Sequence, residues 1–235
     1  MAKAKTSITT ENRSGSAADA AAKEQRTEMP LSDLHPFEGH PFKVLDDELM
    51  EQTVESIRQI GVVSPLIVRP DPEGGFEILS GHRRLHAAQL AGLETVPVIV
   101  KEMDDDAAII FMVDSNLQRE SLLPSERAFA YKMKLEAMKH QGERSDLTCA
   151  QVGHKSDGKK SRDILAEQVG QSRNQIQRYI RLTELIPELL DMVDEKKIAL
   201  NPAYELSFLK KEEQRDLLDA MDSEQATPSL SQAQR

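Results

Sequence analysis

The sequence predicts an α+β chain, a small mixed domain followed by an all-α domain carrying a helix-turn-helix. Three observations lead there. Between residues 62 and 101, β-branched runs alternate with Pro- and Gly-containing turns and one short helical stretch. From residue 104 such runs give way to apolar residues at helical spacing. Near the end of that helical half, Ser172-Arg173-Asn174-Gln175 forms a capping box just after Gly170, which separates two short helical stretches.

Taken in order, residues 1–28 are rich in Ala, Lys, Ser, Thr and Glu without apolar periodicity and read as a disordered arm. Order begins at Met29 with a short strand and turn, in a mixed domain spanning 29–103. His35 to Lys43 reads as a loop. Asp46 or Asp47 caps a helix ending at Gln59 or Ile60, with Leu49, Val54, Ile57 and Ile60 on one face and Gly61 as its stop. Val62 to Arg69 and Phe76 to Leu79 form a hairpin, Arg83 to Leu90 a helix closed by Gly92, and Thr95 to Lys101 a further strand. Asp104-Asp105-Asp106 opens a helix to about Asp114, since the dipole favours anions in a first turn. The segment from Ser115 to Glu120 interrupts it, and Pro124 opens the next helix, to Lys139, so that 104–140 connects the two domains. Residues 141–160 read as a flexible basic loop, 161–222 as the helix-turn-helix domain and 223–235 as a polar tail. Within 161–222, further helices are expected over Glu188 to Glu195, from Asn201 and over Lys211 to Met221.

Composition excludes several classes. At 235 residues the chain holds one or two domains. No apolar run reaches the ~18 residues of a membrane span. The single Cys149 excludes an internal disulfide framework and a multi-cysteine zinc site, and fits a reducing cytoplasm. The net charge of −10 speaks against a protein coated in nucleic acid, but the charge is uneven. Over 151–181 there are seven cations (Lys155, Lys159, Lys160, Arg162, Arg173, Arg178, Arg181) against three anions (Asp157, Asp163, Glu167).

Two stretches carry chemistry. In Ser80-Gly81-His82-Arg83-Arg84 an apolar strand stops at a glycine and a helix starts on two arginines. Glycine lets backbone approach a ligand, a helix N-terminus offers unpaired N–H groups, and guanidinium groups grip phosphate oxygens. The plain alternative is a surface turn whose arginines pair with acidic neighbours. In the second stretch, the helix after Gly170 presents Ser172, Arg173, Asn174, Gln175, Gln177, Arg178 and Arg181, with Arg162 nearby. Arg, Asn and Gln are the side chains that read base edges in the major groove. The plain alternative is a helical hairpin with a solvated basic face. His82 and His86 have a metal-compatible spacing without a third ligand, and Cys149 has no base placed to activate it.

These pieces, in this order, resemble the ParB-type partition proteins (ParB/RepB family). Glu55-Ser56-Ile57 with Gly61-Val62 and Pro65 to Arg69 is similar to that family's first nucleotide motif. Gly81 to Arg84 with Ala87-Ala88 and Ala91-Gly92 is similar to the second, and Asn116 to Glu120 with Pro124 and Glu126 to the third. The resemblance covers about Met29 to Leu209. It implies a ParB/sulfiredoxin-like mixed domain and a CTP-responsive, homodimeric DNA clamp acting in plasmid, chromosome or mobile-element partition. The implied partners are double-stranded DNA bearing a centromere-like site and a Walker-type ATPase, in the cytoplasm on the nucleoid or a plasmid. By position, Gly61, Val62 and Pro65 would lie at the base and Ser80, Gly81, His82, Arg83 and Arg84 at the phosphates. Gln118 and Arg119 would lie at the γ-phosphate end, and Asn116 would meet Mg²⁺. Two departures stand out: Ser115 replaces the family's Glu before the asparagine, which argues for weak or no hydrolysis, and His82 replaces the Glu of the turn. Sulfiredoxin carries its catalytic cysteine inside the turn, where this chain has Gly81. The family's C-terminal dimerisation domain is not evident after Met221. Other readings stay open: a transcriptional regulator of a mobile element without nucleotide switching, or a small-molecule kinase or nuclease using the same pocket.

Overall fold

The computed structural model describes residues 26–119, 122–148, 161–224 and 233. Five strands form one mixed sheet in the order β1-β5-β3-β4-β2: β1 Arg26–Pro30, β2 Leu34–Pro36, β3 Leu66–Pro70, β4 Phe76–Ser80 and β5 Thr95–Val100. The β1/β5 and β3/β4 pairs are antiparallel, and β3/β5 and β2/β4 are parallel. Successive residues of β4 point to opposite faces, as the pleat requires. Ile78 enters a cluster with Met50, Val54 and Ile57 of α1 (Glu48–Ile60) and Leu85, Ala87 and Ala88 of α2 (His82–Ala91). Leu79 enters another with Ala108, Met112 and Val113 of α3 (Asp105–Leu117) and Ala130 of α4 (Pro124–Thr148). The sheet is therefore covered on both faces.

The second half is helical: α5 Ser161–Val169, α6 Arg173–Leu182, α7 Pro187–Asp194, α8 Leu200–Leu206 and α9 Lys211–Glu224. Leu165 and Ile176 of the α5/α6 hairpin bury against Tyr131 and Leu135 of α4. Gly170 adopts φ +64° between the two helices, and the Ser172 Oγ accepts the Gln175 N–H at 3.1 Å. The cap expected at Asp46 or Asp47 is Asp47, whose Oδ1 accepts from the Met50 N–H; Asp104, expected in a first turn, is itself the cap of α3, its Oδ1 accepting from the Ala107 N–H. Among the described residues no helix is long and apolar enough to cross a membrane.

Several boundaries differ from expectation for identifiable reasons. The arm was read through residue 28, yet Arg26 to Glu28 belong to β1, because β5 offers them an edge to pair with. The rest of the arm, 1–25, lies outside the described residues, as do 149–160 of the basic loop and most of the tail. Residues 141–148 of that loop extend α4 instead, since Gly142 costs only ~1 kcal/mol inside a helix. The hairpin's first strand begins at Leu66 rather than Val62. The carbonyls of Val62, Ser64 and Pro65 accept from Arg26 and Arg84 side chains at 3.2, 2.6 and 2.6 Å. α3 continues through Ser115 and Asn116, whose side chains both donate to the Met112 carbonyl and so tolerate the helix.

The inward face of α1 is Met50-Val54-Ile57, so Val54 and Ile57 face inward as expected while Met50 takes the place of Leu49, and Ile60 lies outside. Met50 is 1% exposed, whereas Leu49 is 62% and Ile60 68% exposed. Met50→Ala should therefore lower unfolding free energy by ~2–5 kcal/mol in chemical denaturation, while the adjacent Leu49→Ala should change it by less than ~0.5 kcal/mol.

Candidate functional site

The turn between β4 and α2 is built so that only glycine fits. Gly81 has φ +110°, and a Cβ there would sit 2.9 Å from Leu66 Cγ and 3.1 Å from Arg84 Nη2. As the N-cap of α2 it leaves the helix start without a side-chain cap, so the first N–H groups of α2 have no partner from the helix or from a capping side chain. Arg84 donates through Nη1 to the Ser64 and Pro65 carbonyls, and thereby fastens the 62–65 segment beside the turn. Arg83 reaches the Asp47 carboxylate at 2.9 Å, which already caps α1. This contact and the Met50 N–H hold the Asp47 carboxyl below its ordinary range.

Arg119, just beyond α3, belongs to the same electrostatic group. Burial, and then Arg119, pull the Arg84 guanidinium pKa down; burial and Arg83 do the same to Arg119, against the pull of Glu126. A partly buried set of cations that weaken one another is stabilised when an anion arrives. His82 lies beneath them, 7% exposed, its ring stacked on His40 at 4.3 Å with 27° between planes. Burial above all, then His40 and Arg119, push its pKa down to about 3. His82 Nε2 and His40 Nδ1 are buried without a hydrogen-bond partner.

A cleft of about 410 Å³ opens beside the turn, lined by Leu49, Ser56, Gly61, Val62, Val63 and Arg84 among others. The structure thus brings Gly61, Val62, Pro65, Ser80, Gly81, His82, Arg83, Arg84 and Arg119 to one region. Gln118 instead lines a separate polar cavity of about 380 Å³ with Asp114, Arg127, Tyr131 and Gln168. Asn116 is 3% exposed, and its side-chain amide N–H donates to the Met112 carbonyl at 2.8 Å, so only the amide oxygen is suited to a hard cation. The Asp114 carboxylate pairs with the buried Lys134. Glu126 accepts the backbone N–H groups of Lys43 and Leu123 at 2.7 and 2.9 Å. His40, Asp47 and Ser64 were not singled out as site residues in the sequence; Asp47 was visible there only as a helix cap.

His82 and His86 do not share a metal, because His86 turns to Asp46 at 2.7 Å. His35, Asp71 and Glu77 approach one another, but Glu77 is held by Arg69 and His35 by Asp71, so the cluster is an ion-pair group.

On the helix-turn-helix, Arg162, Ser172, Arg173, Asn174, Gln177 and Arg178 are exposed and Gln175 is half-buried. Arg173 pairs with Asp163 at 2.8 Å. Arg178 contacts the Asn201 Oδ1 at 3.3 Å and remains outside. Arg181 turns inward: it donates to the Ser207 carbonyl at 2.9 Å and lies 4.4 Å over the Phe208 ring.

Comparison with known proteins agrees with this architecture. Residues 15–117 match the ParB N-terminal domain and residues 154–228 the ParB HTH domain. A nucleoid occlusion protein of Geobacillus thermodenitrificans is 30% identical over 88% of this chain and 68% of its own. The chain belongs to the ParB family. A probable chromosome-partitioning protein ParB of Vibrio cholerae is 31% identical, over 88% of this chain and 64% of its own length. The chain spans about three-fifths of the first curated relatives it matches. The fold is also that of a Pnob8-like ParB-N domain, with TM-score 0.50 and 19% identity over 84% of this chain and 85% of that one.

The neutral His82 makes stability pH-dependent. In the unfolded chain it takes up a proton below its ordinary 6.5, whereas in the fold it does so only near 3. The unfolded state therefore binds more protons in that window, and stability falls as pH drops, by up to ~1.4 kcal/mol per pH unit for this group. Denaturant titrations at pH 7 and pH 5 should show a smaller loss for His82→Gln than for the wild type; an equal loss would assign the slope to other groups.

Proposed function

We propose that this ParB-family chain is a sequence-specific DNA-binding partition protein whose mixed domain takes CTP as a switch. One observation carries the nucleotide half: α2 starts on a glycine without a capping side chain, amid Arg83, Arg84 and Arg119. Helix-start N–H groups without a side-chain cap, a positive dipole end and partly buried guanidinium groups are together the features that favour a polyphosphate. The adjacent cleft has the size and mixed lining that a nucleobase needs. Cytosine as the base follows from the family resemblance. The DNA half is supported by the exposed Arg, Asn and Gln side chains of α6 and by the match to the ParB HTH domain.

Mg²⁺ fits as a companion of the triphosphate, whose charge it would neutralise, with the Asn116 amide oxygen as the chain's own donor. Ser115 supplies a hydroxyl where the family has a carboxylate, and Asp114 and Glu126 are already occupied. This favours holding the nucleotide over hydrolysing it. Homodimerisation, a Walker-type ATPase partner and a centromere-like site accompany the same reading.

Calorimetric titration with CTP, ATP and GTP, each with Mg²⁺, tests the pocket. CTP should bind, and Arg83→Ala should remove that binding while DNA recognition persists. Absence of binding by all three nucleotides would refute the assignment. Duplexes selected from a randomised library test the other half. Arg178→Ala should weaken such a duplex by ~1–3 kcal/mol and relax selection at one position. Uniform weakening across sequences would make it a phosphate contact instead.

A further inference from the structure

The 37–43 segment touches both candidate sites. Phe37 and Phe42 are 8% and 3% exposed and anchor it in the cluster formed by Leu79, α3 and α4. Between these anchors His40 stacks on His82, the first residue of α2, immediately before Arg83. Gly39, at φ +69°, provides the bend that turns His40 toward the stack. At the other end Lys43 crosses to the DNA-binding half. Its backbone N–H donates to Glu126 at 2.7 Å, and its Nζ reaches Asp191 and Asp194 of α7 at 3.2 and 3.3 Å. Burial works against the Lys43 charge, but the two aspartates outweigh it and raise its pKa. Asp194 is itself fixed, accepting from the Ser125 N–H and hydroxyl at 2.9 and 2.5 Å. A cavity of about 400 Å³ lies between Gly39, His40 and Pro41 on one side and Leu185, Pro187 and Leu190 on the other. The strap is thus pinned at its ends, stacked on His82 through His40, and flanked by open space along Gly39 to Pro41.

We propose that this strap couples the two sites, with Lys43 as its positioning residue on α7. The proposal rests on the nucleotide reading above. An anion at the α2 N-terminus changes the field on His82 and its contact with His40. His40 lies three residues from the ion pair that holds α7, and α7 packs in one cluster with Leu182, the last residue of α6. Lys43 itself belongs to neither site, so losing its charge leaves both intact and removes only their communication.

The measurement is the affinity of the full chain for a library-selected duplex, with and without CTP and Mg²⁺. Coupling is a ratio of affinities, commonly ~5-fold or more where two sites communicate. The wild type should show at least that change. In Lys43→Met the ratio should collapse to within twofold, while CTP affinity and nucleotide-free DNA affinity stay near wild type. Lys43→Arg should restore the ratio, which a merely structural role would not require. Asp191→Asn, at an exposed position, should repeat the loss and serves if Lys43→Met folds poorly. Undiminished coupling in Lys43→Met and Asp191→Asn overturns the proposal. So does a wild type that binds CTP with no effect on DNA. A wild type that binds no nucleotide refutes the nucleotide reading itself, and this inference with it.

Discussion

The structure depends on α4 serving three hydrophobic clusters at once. Ala130 packs toward the sheet with Leu79 and Met112, Tyr131 and Leu135 pack on the helix-turn-helix, and Ala128 joins the cluster of α7 and α8. A helix can do this only if different faces are apolar along its length and if small residues let neighbours approach closely. Ala128 and Ala130 are fully buried for that reason. A single amphipathic stripe would have joined α4 to one half and left the other tethered by a linker. Because all three faces are occupied, a displacement of α4 against the sheet is also felt by the helix-turn-helix half.

Lys134 reinforces the same point by a costly route. It is 1% exposed, and its ammonium bridges Asp114 of α3 and Gln168 of α5, the latter at 2.7 Å. A buried cation is tolerated only when its partners are well placed, so this contact fixes the register of three helices more than it adds net stability. Asp114 is thereby directed away from Asn116, although the two lie close in sequence. The neighbouring carboxylate that sequence order offers the candidate metal site is withdrawn by packing elsewhere.

Much of this was legible in the sequence because it rests on local rules. The Asp47 and Ser172 caps, the acidic start of α3, the Gly61 and Gly92 stops and the Gly81 turn follow from backbone sterics, the helix dipole and hydrogen-bond satisfaction within a few residues. The grouping of Gly61, Gly81, Arg83 and Arg84 followed from the order of motifs. What was not legible depends on partners far along the chain. β1 was legible only from Met29, and Arg26 to Glu28 join it because β5 supplies an edge; the Ser64 and Pro65 carbonyls accept from Arg84, about twenty residues away. His40 sits in a stretch whose Pro and Gly content says only loop. Its role appears when the turn places His82 against it.

Arg178 and Arg181 show the same limit on the helix-turn-helix. They are three residues apart, which puts them on neighbouring positions of one helix surface, and composition treats them alike. The fold separates them. Arg178 lies where α8 offers the Asn201 amide at 3.3 Å and the Tyr204 ring at 5.9 Å, and the residue stays exposed. Arg181 lies where α8 ends, against the Ser207 carbonyl and the Phe208 ring, and its Nε is buried. To reach a base, Arg181 would have to give up a hydrogen bond and a cation–π contact, the latter alone worth ~0.5–2 kcal/mol. Arg178 would give up a long contact to an exposed amide and a more distant ring contact, 5.9 Å from Tyr204 against 4.4 Å for Arg181 over Phe208. Of two identical side chains on one helix, packing leaves one exposed as a candidate reader and makes the other a brace that holds α6 on α8.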